Sequence, residues 1–228
     1  RTEGLARAAF DHPEAYAFLE RVLREGSLDR LPGANDLRRA AVLALGRFGG
    51  LPAAESLLRV SLRAAHVESD AANYRQAIAF LSQPEAVARI ATGIASGPGT
   101  ALAHERRHAA ILGLGDRAHP AASEGFLALY GSKKLPEELR RDAGRVVGLC
   151  GDAASFGPLL AGLKTKRRSS WRLRQGAAWG LGGLAASLPS EAEDCVAALG
   201  EATDSGHPFV DEAAIQALGR TRSRQAVD

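Results

Sequence analysis

The chain has 228 residues, 46% hydrophobic and 24% charged, so it is globular in composition and not disordered. No apolar run approaches the ~18 residues needed to span a bilayer, and a net charge of +3 is too small to argue for nucleic acid without a clustered basic stripe. Aromatic residues make up only 5%, so the core must be built from Ala, Leu, Val and Gly. Small side chains fill a core only where backbones approach closely, which points to tightly packed helices. The sequence contains no Met and begins with Arg1, so a fragment, a trimmed chain or a processed product is expected.

In chain order, the first predicted element is a helix over Asp11–Glu25. It reads as the second helix of a partial repeat in residues 1–34. From there, six ten-residue windows align without gaps: LRRAAVLALG from Leu37, NYRQAIAFLS from Asn73, RRHAAILGLG from Arg106, LRRDAGRVVG from Leu139, LRQGAAWGLG from Leu173 and VDEAAIQALG from Val210. Their starts lie 36, 33, 33, 34 and 37 residues apart. Column five is always alanine: Ala41, Ala77, Ala110, Ala143, Ala177 and Ala214. Column nine is Leu or Val, and column ten is Gly or, at Ser82, Ser. Columns two, five, six and nine fall on one side of a 3.6-residue helix. The alanine marks a position where a neighbouring helix leaves no room for more.

Between the windows lie second amphipathic segments: Pro52–Leu62, Pro84–Ile90, Pro120–Leu129, Pro158–Leu163 and Ser190–Leu199. Proline near a first turn suits a helix start. Ser190 and Glu193 have the spacing of a capping box. The unit is therefore helix–turn–helix. One such pair cannot bury its own apolar faces, and stacked pairs share a continuous core.

The pattern R-x-x-A-A-x-x-L-G-x-x-G-D resembles the HEAT repeat, in the short bacterial class first noted in phycobilin-lyase proteins. It reads here as Arg140, Ala143, Val147, Gly148, Gly151 and Asp152, and again as Arg38, Ala41, Leu45, Gly46 and Gly49. Repeat two departs from it at Tyr74 and Ser82, and repeat six at Asp211. The resemblance covers roughly Asn35 to Asp228. It implies an all-α fold, a right-handed superhelical α-solenoid of stacked antiparallel helix pairs. The expected organisation is a single HEAT-like solenoid across residues 1–228.

Candidate chemistry is sparse. His104-Glu105-Arg106-Arg107-His108 is formally H-E-x-x-H, which on a helix sets two imidazoles one turn apart. His108 falls in a column otherwise occupied by solvated polar residues, and Glu124, the one downstream acid at a plausible distance for a third ligand, is expected on the next helix. No metal is expected there. Cys150 and Cys195 read as small buried hydrophobes. No P-loop, dinucleotide fingerprint or nucleophile elbow occurs, so no cofactor and no catalytic residue is assigned. The column-two arginines Arg38, Arg107, Arg140 and Arg174 read as structural bridges, with Asp116 and Asp152 as expected acceptors.

The more informative residues lie opposite the alanines. Column three reads Arg39, Arg75, His108, Arg141, Gln175, Glu212, and column seven includes Arg145 and Trp179. By the resemblance, this face of the first helix lines a concave groove. Trp171, Trp179, Arg172, Gln175, Arg141, Arg145, Arg39 and Arg75 are the expected partner-binding residues, since Trp and Arg are the usual anchors of binding hot spots. The expected ligand is a protein or peptide with acidic and apolar residues. The bland alternative for Trp171 is packing on the preceding loop. HEAT-like DNA glycosylases have aromatic-lined clefts. Trp171, Trp179 and the basic cluster from Lys164 to Arg174 therefore keep a nucleic-acid binder or repair enzyme as the competing reading. Acidic residues on the same face, Asp36, Glu105, Glu138 and Glu212, weigh against a phosphate-tracking groove.

Overall fold

A computed structural model describes residues 13–24, 33–62, 71–96, 101–165 and 170–221. Among these residues it is all helix and turn, an all-α solenoid of helix pairs with no strand. The helices are α1 Pro13–Arg24, α2 Ala34–Phe48, α3 Gly50–Leu62, α4 Ala71–Phe80, α5 Pro84–Ser96, α6 Ala101–Arg117, α7 Ser123–Gly131, α8 Glu137–Leu149, α9 Phe156–Leu163, α10 Trp171–Ser187, α11 Ala192–Ala202 and α12 Pro208–Leu218. Residues 1–117 and 118–228 form two compact units.

In the first unit, α1 packs on α2 and α3, α2 on α4, α4 on α6, and α3 on α5. This is the stacking that the repeat spacing predicts: first helix on first helix, second on second. Leu45, Leu57, Ile78, Leu81, Ile90, Ile111 and Leu114 fill the core. Glu20 of α1 accepts from Ser56 and Arg59 of α3. In the second unit, α8 packs on α10 and α10 on α12, with α7, α9 and α11 behind them. Its core includes Phe126, Leu129, Leu139, Val147, Leu159, Leu181, Leu184 and Leu199. All six column-five alanines are buried.

Glycines on the first helices also stand against neighbouring backbones, in one case that of the column-five Ala77. A Cβ on Gly148 would stand 1.8 Å from the Gly180 carbonyl oxygen. One on Gly176 would stand 2.3 Å from that of Arg141, and one on Gly46 2.3 Å from that of Ala77. So α8 and α10 touch backbone to backbone.

Three column-two residues, Tyr74, Arg140 and Arg174, donate to main-chain carbonyls and not to the expected carboxylates. Arg140 Nε donates to the Tyr130 carbonyl at 2.9 Å and Arg174 Nε to the Leu163 carbonyl at 3.2 Å. These are carbonyls at the ends of the preceding second helices, which lack intrahelical partners. Tyr74, which stands where the pattern has Arg, also donates to a main-chain carbonyl of the preceding second helix, that of Leu57 at 2.6 Å, though within the helix and not at its end. Asp211 instead accepts from the Ser205 hydroxyl and main-chain N–H, which hold its carboxyl below the usual range.

Asp116 and Asp152 have other partners. Asp116 takes a two-pronged bond from Arg75, at 2.7 and 2.8 Å. Asp152 accepts from Ala154 N–H at 3.0 Å, capping a 3-10 turn, and from the buried Ser123 hydroxyl at 2.9 Å. Gly151 before it has φ +68°, which glycine adopts without strain. The G-D end of the motif is thus a turn followed by a cap.

The predicted capping box does not form. Ser190 lies inside a 3-10 turn, Pro189–Glu191, that precedes α11, and Glu191 at the N-cap makes no side-chain bond. The extra turn moves the helix start past Ser190.

Candidate partner-binding face

The face of interest in the second unit is built by α8, α10 and α12 side by side. Trp171, Gln175 and Trp179 sit at successive turns of α10, at i, i+4 and i+8, and so share one stripe. The backbone contact between α8 and α10 brings Arg141 and Arg145 of α8 alongside them. Arg145 is exposed, and its guanidinium lies 5.7 Å from the centre of the Trp179 ring. Trp179 Nε1 donates to Gln216 Oε1 of α12 at 3.3 Å, and Gln216 Nε2 donates to Glu212 at 2.9 Å.

Trp171 packs forward, onto the next repeat. Its ring stacks on His207 at 5.1 Å with 12° between planes, and meets Phe209 at 5.0 Å. Arg172 lies over the same indole at 4.3 Å and pairs with Glu138 of α8 at 2.9 Å. Phe209 keeps 51% of its surface exposed. The result is an aromatic cluster at the N-terminal ends of α10 and α12.

The structure therefore brings together six of the residues singled out in the sequence: Trp171, Arg172, Gln175, Trp179, Arg141 and Arg145. Arg39 and Arg75 lie on α2 and α4 of the first unit, both exposed. Arg75 is committed to Asp116 at 2.7 Å, and Arg141 Nε to Asp142 at 2.8 Å. Gln175 occupies a column expected to face solvent, yet it is only 8% exposed, and its Oε1 has no hydrogen-bond partner. Its helix is packed between α8 and α12.

His207, Phe209 and Gln216 were not among the expected site residues. Phe209 and Gln216 stand in the same columns as Arg172 and Trp179, so the repeat register carried that signal. His207 lies outside the windows and had none.

The remaining chemical candidates offer little. Burial pushes the Cys150 thiol up to about 12 and the Cys195 thiol to about 11, so neither is poised as a nucleophile. Glu105 is exposed and His108 half-buried on α6, while the His104 side chain lies outside the described residues. So do Lys166, Arg167 and Arg168 of the basic cluster. No group of three or more potential metal-ligating side chains occurs among the described residues. No described helix is long and apolar enough to cross a membrane.

The family model for the PBS lyase HEAT-like repeat matches residues 37–62. The α2–α3 pair is therefore similar to a HEAT repeat of the phycobilin-lyase type. The match begins at the first window, Leu37, and spans most of the α2–α3 pair, whose internal pattern the other five windows repeat. A comparison with curated proteins finds no match. HEAT-like repeats commonly serve as protein-interaction scaffolds, and the α8–α10–α12 face is where this chain gathers its two tryptophans.

Proposed function

We propose that the chain is a non-catalytic scaffold that binds a protein or peptide partner on the α8–α10–α12 face. One observation carries this reading: both tryptophans of the chain stand on α10 with an exposed phenylalanine and an exposed arginine beside them. Aromatic and arginine side chains supply large contact area at low conformational cost. Among the described residues the perturbed groups are buried thiols, tyrosines and an arginine together with paired side chains, which suits a binding role better than acid–base chemistry.

The competing reading is a nucleic-acid groove, which also uses aromatic stacking and cations. Glu138, Glu212 and Asp142 on or beside the face offset its arginines, so a polypeptide fits the charge balance better.

The test compares affinity capture from lysate by the wild type and by Trp179→Ala, alongside titration of a labelled oligo(dT) 16-mer at two salt concentrations. The reading expects polypeptides that the wild type retains and the variant loses, with weak DNA binding. Tight oligo(dT) binding that falls steeply with salt, with no polypeptide dependent on Trp179, would transfer the face to the competing class.

A further inference from the structure

We infer that the partner lies on this face as an extended segment, with one main-chain N–H bonded to Gln175 Oε1 between the two indoles. The inference rests on the scaffold reading above and goes further, to the conformation and chemistry of what binds.

It starts from an unpaid acceptor. Gln175 is 8% exposed, and its Oε1 has no partner. A buried polar atom without a bond costs about 1–3 kcal/mol, and such atoms in folded proteins call for an explanation. A second one lies nearby: His207 Nδ1 is buried without a partner, on the ring that stacks on Trp171. One unsatisfied atom thus belongs to the residue one turn after Trp171, and the other to the N-cap residue of α12 whose ring stacks on that indole.

The missing group is a donor, and charge does not select it. Arg172 is paired with Glu138 and Arg141 with Asp142, so much of the positive charge on this face is already neutralised. A polypeptide backbone offers a neutral donor at every residue except proline. In a helical partner, every N–H beyond the first turn is already spent on its own carbonyls. In an extended segment they remain free, and successive side chains point to opposite sides.

The spacing fits. Trp171 and Trp179 are separated by eight residues, or ~12 Å at ~1.5 Å per residue. An extended chain advances ~3.3 Å per residue, so side chains four apart span about the same distance and point to the same side. Two apolar side chains of the ligand can then meet the two indoles, while a main-chain N–H between them reaches Gln175. Oε1 is covered in the free protein, so binding moves surface side chains aside, and the unpaired acceptor lowers the cost of that opening.

The probes are two phage-displayed libraries, one of linear 12-residue peptides and one on a rigid helical scaffold, selected against the full chain. Binders are kept if Trp179→Ala weakens them at least tenfold. The inference expects these to come from the linear library. For a synthesised binder, N-methylation of one central amide should weaken wild-type binding about tenfold. The same peptide should lose almost nothing on Gln175→Leu, because the bond is already gone. Free Gln175→Leu protein should melt no lower than wild type.

Trp179-dependent binders from the helical library alone, or linear binders insensitive to N-methylation at every position, would overturn the extended mode and leave the scaffold reading standing. If no binder of either kind depends on Trp179, both fall. A lower melting temperature for Gln175→Leu would show that the amide is already satisfied, and would remove the ground for the inference.

Discussion

The two tryptophans share a helix but not a job. Trp171 is held within the fold by His207, Phe209 and Arg172. Trp179 is tied only through an edge bond to Gln216 and the nearby Arg145. Trp171→Ala should therefore lower the unfolding free energy by about 1–3 kcal/mol more than Trp179→Ala does, since aromatic pairs add to plain burial. Urea denaturation of the two variants checks this, and equal losses would refute it. The thiols give a second expectation. The folded chain keeps Cys150 and Cys195 protonated up to about 12 and about 11, whereas an unfolded thiol ionises near ~8.5. The folded state thus binds more protons above that pH. Stability should be unaffected by these groups below about 8 and fall as pH rises from about 9 towards 11. A Cys150→Ala, Cys195→Ala double variant should show a flatter alkaline limb in its stability profile.

At the scale of the element, the repeat register was legible because it needs only small residues at fixed spacing, and six aligned alanines supply that. The particular partners were not. Sequence alone does not distinguish a carbonyl from a carboxylate as the acceptor of Arg140, because helix-end carbonyls leave no mark in the side chains. Nor does it reveal that a 3-10 turn shifts the start of α11 past Ser190. Gln175 was misplaced for a related reason: its column reads as solvated, but it is buried on a helix packed between two others. The glycine contact also reverses a familiar expectation. In an isolated helix, Gly148→Ala should gain about 1 kcal/mol from propensity. Here the added Cβ would meet the Gly180 backbone at 1.8 Å, and no side chain can move aside to relieve it. The substitution should instead destabilise by about 1–3 kcal/mol or more, measured as a lower denaturation midpoint. Ala143→Leu, at a fully buried site, should overpack to a similar extent.

For the whole molecule, a solenoid adds its stability repeat by repeat, because each helix pair touches mainly its neighbours. Residues 118–228 have a core of their own, from Phe126 through Leu199, and the closest helix contacts described within them. That segment expressed alone should give a helical circular-dichroism spectrum and a cooperative melt. A featureless or broad transition would show that it depends on the rest of the chain. The class of fold was readable over this whole length, since it follows from period and composition. The binding face was readable only in part. Repeat columns named its tryptophans and arginines, while which of the cations are already paired depends on packing between helices.

The placement of both tryptophans on α10 has an optical consequence. The chain's indole fluorescence is the fluorescence of one helix. Emission from Trp171 is open to quenching by the stacked His207 imidazole, while Trp179 reports on the setting of Arg145 and Gln216. Replacing Trp171 with Phe would leave a single emitter in the middle of the proposed contact patch. Its intensity and wavelength could then follow occupancy of that patch directly, without an attached dye.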